Sequence, residues 1–429
     1  MKDKLKVEDT LINILKKEVK PAIGCTEPIS VAYAAAVARQ YSAGIIKKLT
    51  IKTSLNIYKN GKSVIIPGTD RCGLKLAGAL GFLIGDASKG LCVLENVKNT
   101  DLNEAENLVN KSIIFVEPID ACEGIYIEVI SHSENDVKVI ISKCHTHIES
   151  IQINDKYIFK EASDFLDDDA EKSLLKLSFK DIKEIVEKIH IGKISFMLDG
   201  VDMNMMAAEE GLKRNFKFNI GSGLMKLQKS KKISEDPAMS ARILTAAGAD
   251  FRMGGGNLPV MTSGGSGNQG LGIIIPIVVM GKKLECSQDE LCRALFFAHA
   301  VNILVKSHVG KLSSLCGCAI AAGVGAAAGI TYLMNGNDEQ IEGAMQNMLA
   351  NLTGMICDGA KESCAMKLST SAGEAVLSSY LACSNIIVPK KTGIIGDTVL
   401  DTINNLHKLC VDGLNKTEQT LVDILYEQV

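Results

Sequence analysis

Tryptophan is absent from this 429-residue chain, and 11 Phe and 8 Tyr leave few rings for stacking on bases. There is no basic stripe either: the formal charge of −3 is spread along the chain, so no nucleic-acid partner is expected. Long apolar runs are also missing. The longest small-residue run, Ala319 to Met334, falls short of the roughly 20 residues that span a bilayer, so no membrane partner is expected. The N-terminal stretch is amphipathic, with Leu5, Leu11, Ile12, Leu15 and Val19 on one stripe, and has no signal-peptide core. The expected location is the cytoplasm. Paired C-x-x-C zinc spacings, a P-loop lysine pattern, a dinucleotide fingerprint and a recognisable pyridoxal lysine motif are lacking as well.

What remains is a folded chain with 46% hydrophobic residues, 38 glycines and 13 cysteines, long enough for two domains. An odd number of cysteines without an export signal argues against a disulfide scaffold and for metal or reactive-thiol chemistry. Cysteines are dense only between Cys286 and Cys364.

The expected fold class is α+β. Residues 1–195 should form a mixed α/β domain with antiparallel strands, and residues 196–429 a mostly helical, cluster-binding domain. "LTIKTSLNIYKNGKSVIIPGT" alternates Leu49, Ile51, Thr53, Leu55 and Ile57 and turns at Lys-Asn-Gly, which predicts a hairpin. "SIIFVEPI", "GIYIEVIS" and "DVKVIISKCHTHIESIQI" continue as strands. An acidic stretch, "EASDFLDDDAEKS", precedes helical patterning in "FKDIKEIVEKIH". From Asp236 onward the pattern is helical, broken by two glycine-rich loops, and the Ala319 to Met334 run reads as a buried helix whose glycines permit close packing.

In "GMICDGAKESCAMK", Cys357 and Cys364 are seven positions apart, and a continuous helix would separate them by about 10.5 Å of rise. A break at Asp358-Gly359 would let both sulfurs point at one centre; two buried core thiols are the competing reading. "LCGCAIAAGVG" adds Cys316 and Cys318, which on a helix would face about 200° apart, so only one should face the site. Cys318, opening the apolar helix, is favoured, with Cys316 as its substitute. Three thiolates from two loops fit a 4Fe-4S cluster with one open iron.

In "IGCTEPIS", Pro28 suits a first helical turn and Thr26 or Glu27 can cap it. Cys25 would then stand at a helix N-terminus, where the field lowers a thiol pKa; a buried turn cysteine is the alternative. "TSGGSGNQGLG" offers unhindered amides ahead of an apolar helix, a cradle for a carboxylate or phosphate, though such loops are often only tight turns. "CHTHIES" is read as a strand with His145 and His147 facing solvent.

Taken in order, "IGCTEP", "NIYKNGKSVIIPGT", "TSGGSGNQG", "GKLSSLCGCAIAAGVGAAAG" and "MICDGAKESCAMK" closely resemble the L-cysteine desulfidases, the UPF0597 group, from about residue 8 onward. That group is related to the iron-sulfur L-serine dehydratases, from which the close spacing in "CDGAKESC" departs. The resemblance implies an oxygen-sensitive 4Fe-4S lyase that converts L-cysteine and water to pyruvate, ammonia and sulfide. Under it, Cys318, Cys357 and Cys364 would be metal ligands and Cys25 the catalytic base or a displaceable fourth ligand. Asn56, Lys59, Gly264, Ser266 and Asn268 would hold the substrate, and a homodimer would be a compatible assembly. Serine dehydration by the same chemistry, and a non-catalytic iron-sulfur sensor or carrier, are the competing functions.

Overall fold

The computed structural model describes residues 2–120, 122, 124–161, 174–214, 216, 218–309 and 314–427, with side chains from residue 7. The architecture is α+β. A six-stranded sheet runs in the order β3-β2-β4-β5-β6-β7, where β2 is Lys48–Ser54, β3 Ile114–Ile119, β4 Tyr126–His132, β5 Asp136–Ser142, β6 Ile148–Ile153 and β7 Lys156–Lys160. Only the β2–β3 pair is parallel, and its connection is a helical crossover; the other pairs are antiparallel. Val137, Val139 and Ile141 alternate inward along β5 and pack with helices α2 (Thr26–Tyr41) and α4 (Leu74–Ile84). A Cβ added at Gly81 would lie 2.1 Å from the Ala32 carbonyl oxygen, so α4 needs glycine to approach α2.

The helical body holds the buried runs of α10 (Gly267–Lys283), α11 (Gln288–Val309), α12 (Ala321–Leu333) and α13 (Asp338–Leu352), together with α14 (Cys364–Cys383). Leu11 and Leu15 of the first helix, α1 (Lys2–Glu18), and Val19 just after it belong to this helical core rather than to the sheet layer. As expected, the small-residue run is a buried helix, and Gly325 lies where a Cβ would be 2.6 Å from the Ala298 carbonyl oxygen. Phe179–Lys188 is helical, also as expected. Most of the acidic stretch before it lies outside the described residues.

The expected hairpin after β2 does not form. The end of its first arm and its Lys-Asn-Gly turn are replaced by a helix, α3 (Leu55–Gly61), with Ile57, Lys59 and Asn60 buried. The apolar alternation suits either a strand or a short helix. The helix prevails because it turns Lys59 and Asn60 toward carboxylates far away in the chain.

One connection matters most for the site. Strand β1 (Pro21–Ala22) pairs antiparallel with β8 (Val260–Met261), and Lys20 and Thr262 exchange hydrogen bonds beside it. The GCTEP turn is thereby placed beside the glycine-rich loop that opens α10.

Asp250, on α9 (Pro237–Met253), is buried and accepts from the Gly221 backbone N–H at 2.8 Å. Burial pushes its carboxyl up to about 7, although backbone donors at Gly221 and Ile220 pull the other way. The folded-state value lies above the ordinary 3.8, so the native protein holds the proton more tightly. The resulting stability is full below about pH 4 and is lost as pH rises through about 7. Asp250→Asn is expected to flatten the fall in melting temperature over that interval. An unchanged slope would show that Asp250 ionises freely in the fold.

Candidate active site

Cys25 is the N-cap of α2, with Thr26 and Glu27 inside the first turn and no side-chain cap bond. Gly24 before it sits at φ 68°, where a Cβ would also strike Pro67 at 2.1 Å. The Cys25 thiol donates to Glu27 Oε2 at 2.9 Å and is buried in a small cluster with Val64 and Met253, on which Cys364 packs. Its pKa is raised by burial first and by Glu27 second, so the lowering expected from a helix terminus is outweighed. Burial also works against ionisation of Glu27. His145 when its ring is protonated, then the Cys25 hydrogen bond and Arg252, nevertheless hold that carboxyl below its ordinary range. Asn60 Nδ2 donates to Glu27 Oε1 at 2.9 Å.

Two chain segments bring the cysteines of the helical body together. Leu315 and Ile356 form an antiparallel bridge, with Cys316 N–H donating to Met355 O and Cys357 N–H to Ser314 O, both at 2.8 Å. Gly359 breaks the chain at φ 96° and packs on the Lys59 carbonyl, and Cys364 then opens α14. The predicted turn at Asp358-Gly359 is present. The helical argument about Cys316 and Cys318 fails, because α12 begins only at Ala321: Cys316 directly follows the bridge residue Leu315, and Cys318 lies in the turn after it. The two thiols perturb each other's ionisation, and Cys316 also feels the charges of Cys357 and Cys364. Four thiols therefore gather where three were expected.

Their electrostatics differ. Burial pushes Cys364 up to about 11 and raises Cys357. Cys316 is raised by its bond to Cys318 and by burial. Cys318 alone is pulled down, to about 7, by hydrogen bonds from Cys316 and Ser266 and by the charges of Arg252 and Lys306, against burial. Ser266 Oγ stands 3.5 Å from Cys318 Sγ.

A cavity of about 100 Å³ opens here, lined by Cys318, Cys357, Glu27, His145, Asn56, Asn60, Gly264, Gly265, Ser266, Gln269 and Lys306 among others. Of the residues expected to hold substrate, Asn56, Gly264 and Ser266 line it. Asn268 does not: its Oδ1 accepts from Arg252 Nη1 at 2.9 Å. Lys59 does not either. It is buried in an ion pair with Glu418 of the helix Thr417–Glu427 at 2.7 Å, though its charge reaches Cys357. Lys59→Met would strand that carboxylate, which is only 16% exposed, and is expected to cost about 2–3 kcal/mol. A lower urea midpoint with faster proteolysis of the C-terminal helix would report this; wild-type stability would mean that the pair contributes nothing.

His145 and His147 do not share a strand face. The segment between β5 and β6 is a turn entered through Lys143 at φ 62°. It sends His145 into the cavity and leaves His147 on Glu161 at 2.8 Å. Gln269, Lys306 and Arg252 were not anticipated. Gln269 lies inside the quoted glycine-rich motif and so carried a signal, whereas Lys306 on a buried helix carried none.

Among the described residues no three His, Cys, Asp or Glu side chains form a site for a single metal ion, and no helix is long and apolar enough to cross a membrane.

The family model described as "Serine dehydratase alpha chain" matches residues 88–423. A UPF0597 protein of Clostridium botulinum (strain Hall) is 51% identical over 428 residues, 99% of both chains. One of Clostridioides difficile (strain 630) is 39% identical over 420 residues, 96% of this chain and 98% of the relative. One of Alkaliphilus metalliredigens is 39% identical over 428 residues, 97% and 94% of the two chains. With the family model covering most of its length and its relatives matching nearly end to end, this chain belongs to the iron-sulfur serine dehydratase alpha chain family, among its UPF0597 proteins.

Proposed function

We propose that the chain is a 4Fe-4S-dependent L-cysteine desulfidase that converts L-cysteine and water to pyruvate, ammonia and sulfide. The observation that carries this reading is the gathering of Cys316, Cys318, Cys357 and Cys364 beside one cavity, whose wall includes Cys318 and Cys357. The donor set fits the implied group: thiolates are the ligands of iron-sulfur clusters, and four clustered thiols shielded from water could not all ionise together without a cation between them. Cys318, Cys357 and Cys364 would hold it, with Cys316 as the alternative to Cys318. When bound, the group supplies a Lewis-acidic iron for the substrate's thiolate or hydroxyl.

The chain's own groups supply the rest. Lys306 and the loop Gly264 to Ser266 offer positive charge and backbone donors for the substrate carboxylate, and Asn56 adds a polar side chain to the same wall. The Cys25 thiol already directs its proton at Glu27 Oε2. Passing that proton to the carboxylate would leave a thiolate able to take the Cα proton. Burial of these groups keeps competing water away. A cytoplasmic setting would keep the free thiols reduced.

The family description names serine, which favours L-serine dehydration as the second reading. Anaerobic reconstitution followed by parallel assays with L-cysteine and L-serine separates the two. Pyruvate with sulfide from cysteine is the expected result, and faster pyruvate formation from serine would reverse the assignment. A fully loaded protein that releases pyruvate from neither would be a sensor or carrier.

A further inference from the structure

Two residues that line the cavity each carry a buried polar atom with no hydrogen-bond partner among the described residues: Nε2 of His145 and Oε1 of Gln269. The residues are only 8% and 4% exposed. They arrive from different layers, His145 from the turn after β5 and Gln269 from the first turn of α10. Dry polar atoms of this kind are costly to a fold unless a ligand satisfies them.

Both atoms can act as acceptors. An amide oxygen only accepts, and Nε2 of a neutral imidazole accepts when the proton is on Nδ1. Burial favours the neutral ring, since it pushes the His145 pKa down, with Glu27 opposing and Lys306 reinforcing. A third acceptor lines the same cavity. Glu27 Oε1 receives one hydrogen bond, from Asn60, and has room for a second. Acceptors gathered in one small cavity suit a compact cation with several donors.

We infer that His145, Gln269 and Glu27 form the subsite for the substrate's α-ammonium group, whose three N–H donors match three acceptors. The inference rests on the proposed function for the identity of the whole substrate; the subsite itself requires only a primary ammonium. Lys306, whose Nζ donates to the Gly264 carbonyl, and the loop at Gly264 to Ser266 would meet the carboxylate, so the cavity would receive both ends of a zwitterion.

The test is calorimetric binding under argon to the cluster-loaded protein, using two fragments of cysteine. Cysteamine has the amine without the carboxylate, and 3-mercaptopropionate has the carboxylate without the amine. Gln269→Met and His145→Ala are each expected to weaken cysteamine about 10- to 100-fold and to leave 3-mercaptopropionate within about twofold. Gln269→Glu should keep or tighten cysteamine binding, which a merely structural role for the amide would not produce; melting curves confirm that the variants fold. Loss falling on 3-mercaptopropionate instead, loss on neither fragment, or no cysteamine binding by the wild type would each overturn the subsite. The outcome for the reaction is separate. A wild type that binds cysteamine through these residues but releases no pyruvate from L-cysteine keeps the subsite and loses the desulfidase reading. One that turns over cysteine while both variants bind cysteamine normally does the reverse.

Discussion

Serine in place of Cys357, Cys364 or Cys318 is expected to abolish the broad visible absorption near about 400 nm that a reconstituted 4Fe-4S protein shows, and turnover with it. The substitution is nearly isosteric, yet a serine hydroxyl stays protonated at neutral pH, so it removes the anionic sulfur without opening a large void. Cys316→Ser adds information that the motif spacing does not contain. Cys316 is 5% exposed, and its interaction with Cys318 lowers the Cys318 pKa, so it is either the ligand itself or the group that keeps Cys318 ionised. Full iron content in Cys316→Ser with a shifted spectrum would mark the second role. Iron loss in Cys316→Ser but not in Cys318→Ser would exchange their assignments. Replacing exposed Cys72, or Cys92, Cys122 or Cys410, should leave four irons in place. Retention of four irons and normal absorption by all of the site variants would refute the ligand set.

Cys25→Ala should lower turnover by the roughly 10²- to 10⁴-fold typical of a lost general base while leaving the iron content intact. The structure makes this a demanding prediction. The thiol is buried, hydrogen-bonded to Glu27 and raised in pKa, so it rests protonated, and its activation depends on the carboxylate beside it. Cys364 packs on the small buried cluster that Cys25 forms with Val64 and Met253, which brings a residue from the N-terminal turn close to the gathered thiols. Solvent-deuterium exchange at the substrate Cα, followed together with an iron count, separates the roles. Wild-type exchange in the variant would eliminate Cys25 as the base. Loss of iron would make it a ligand, displaced by substrate.

The strand at Leu49, Ile51 and Thr53 and the β4–β5 hairpin could be read directly from alternation, because a half-buried strand imposes a period of two on neighbouring residues. Alternation continues through Leu55 and Ile57, but there the backbone is helical. The deciding contacts, Asn60 with Glu27 and Lys59 with Glu418, lie too far along the chain to leave a local pattern. His145 was misplaced for a related reason. Alternate spacing with His147 puts two residues on one face only if the segment is a strand, and Lys143 in the left-handed region makes it a turn.

What the sequence determined by itself is local. It encodes the buried glycine-rich helix, the break at Gly359, the loop ahead of α10 and the motifs that carry the family likeness, because each depends on a residue's own conformational limits or on a short period. Tertiary structure alone decided which groups meet. The β1–β8 pairing sets Cys25 and Glu27 beside the loop at residues 262–269, and the Leu315–Ile356 bridge draws four thiols together. A turn between two strands of the sheet then delivers His145 to the same cavity. These contacts join residues separated by tens to hundreds of positions, and no periodicity along one chain records which distant segments share a wall.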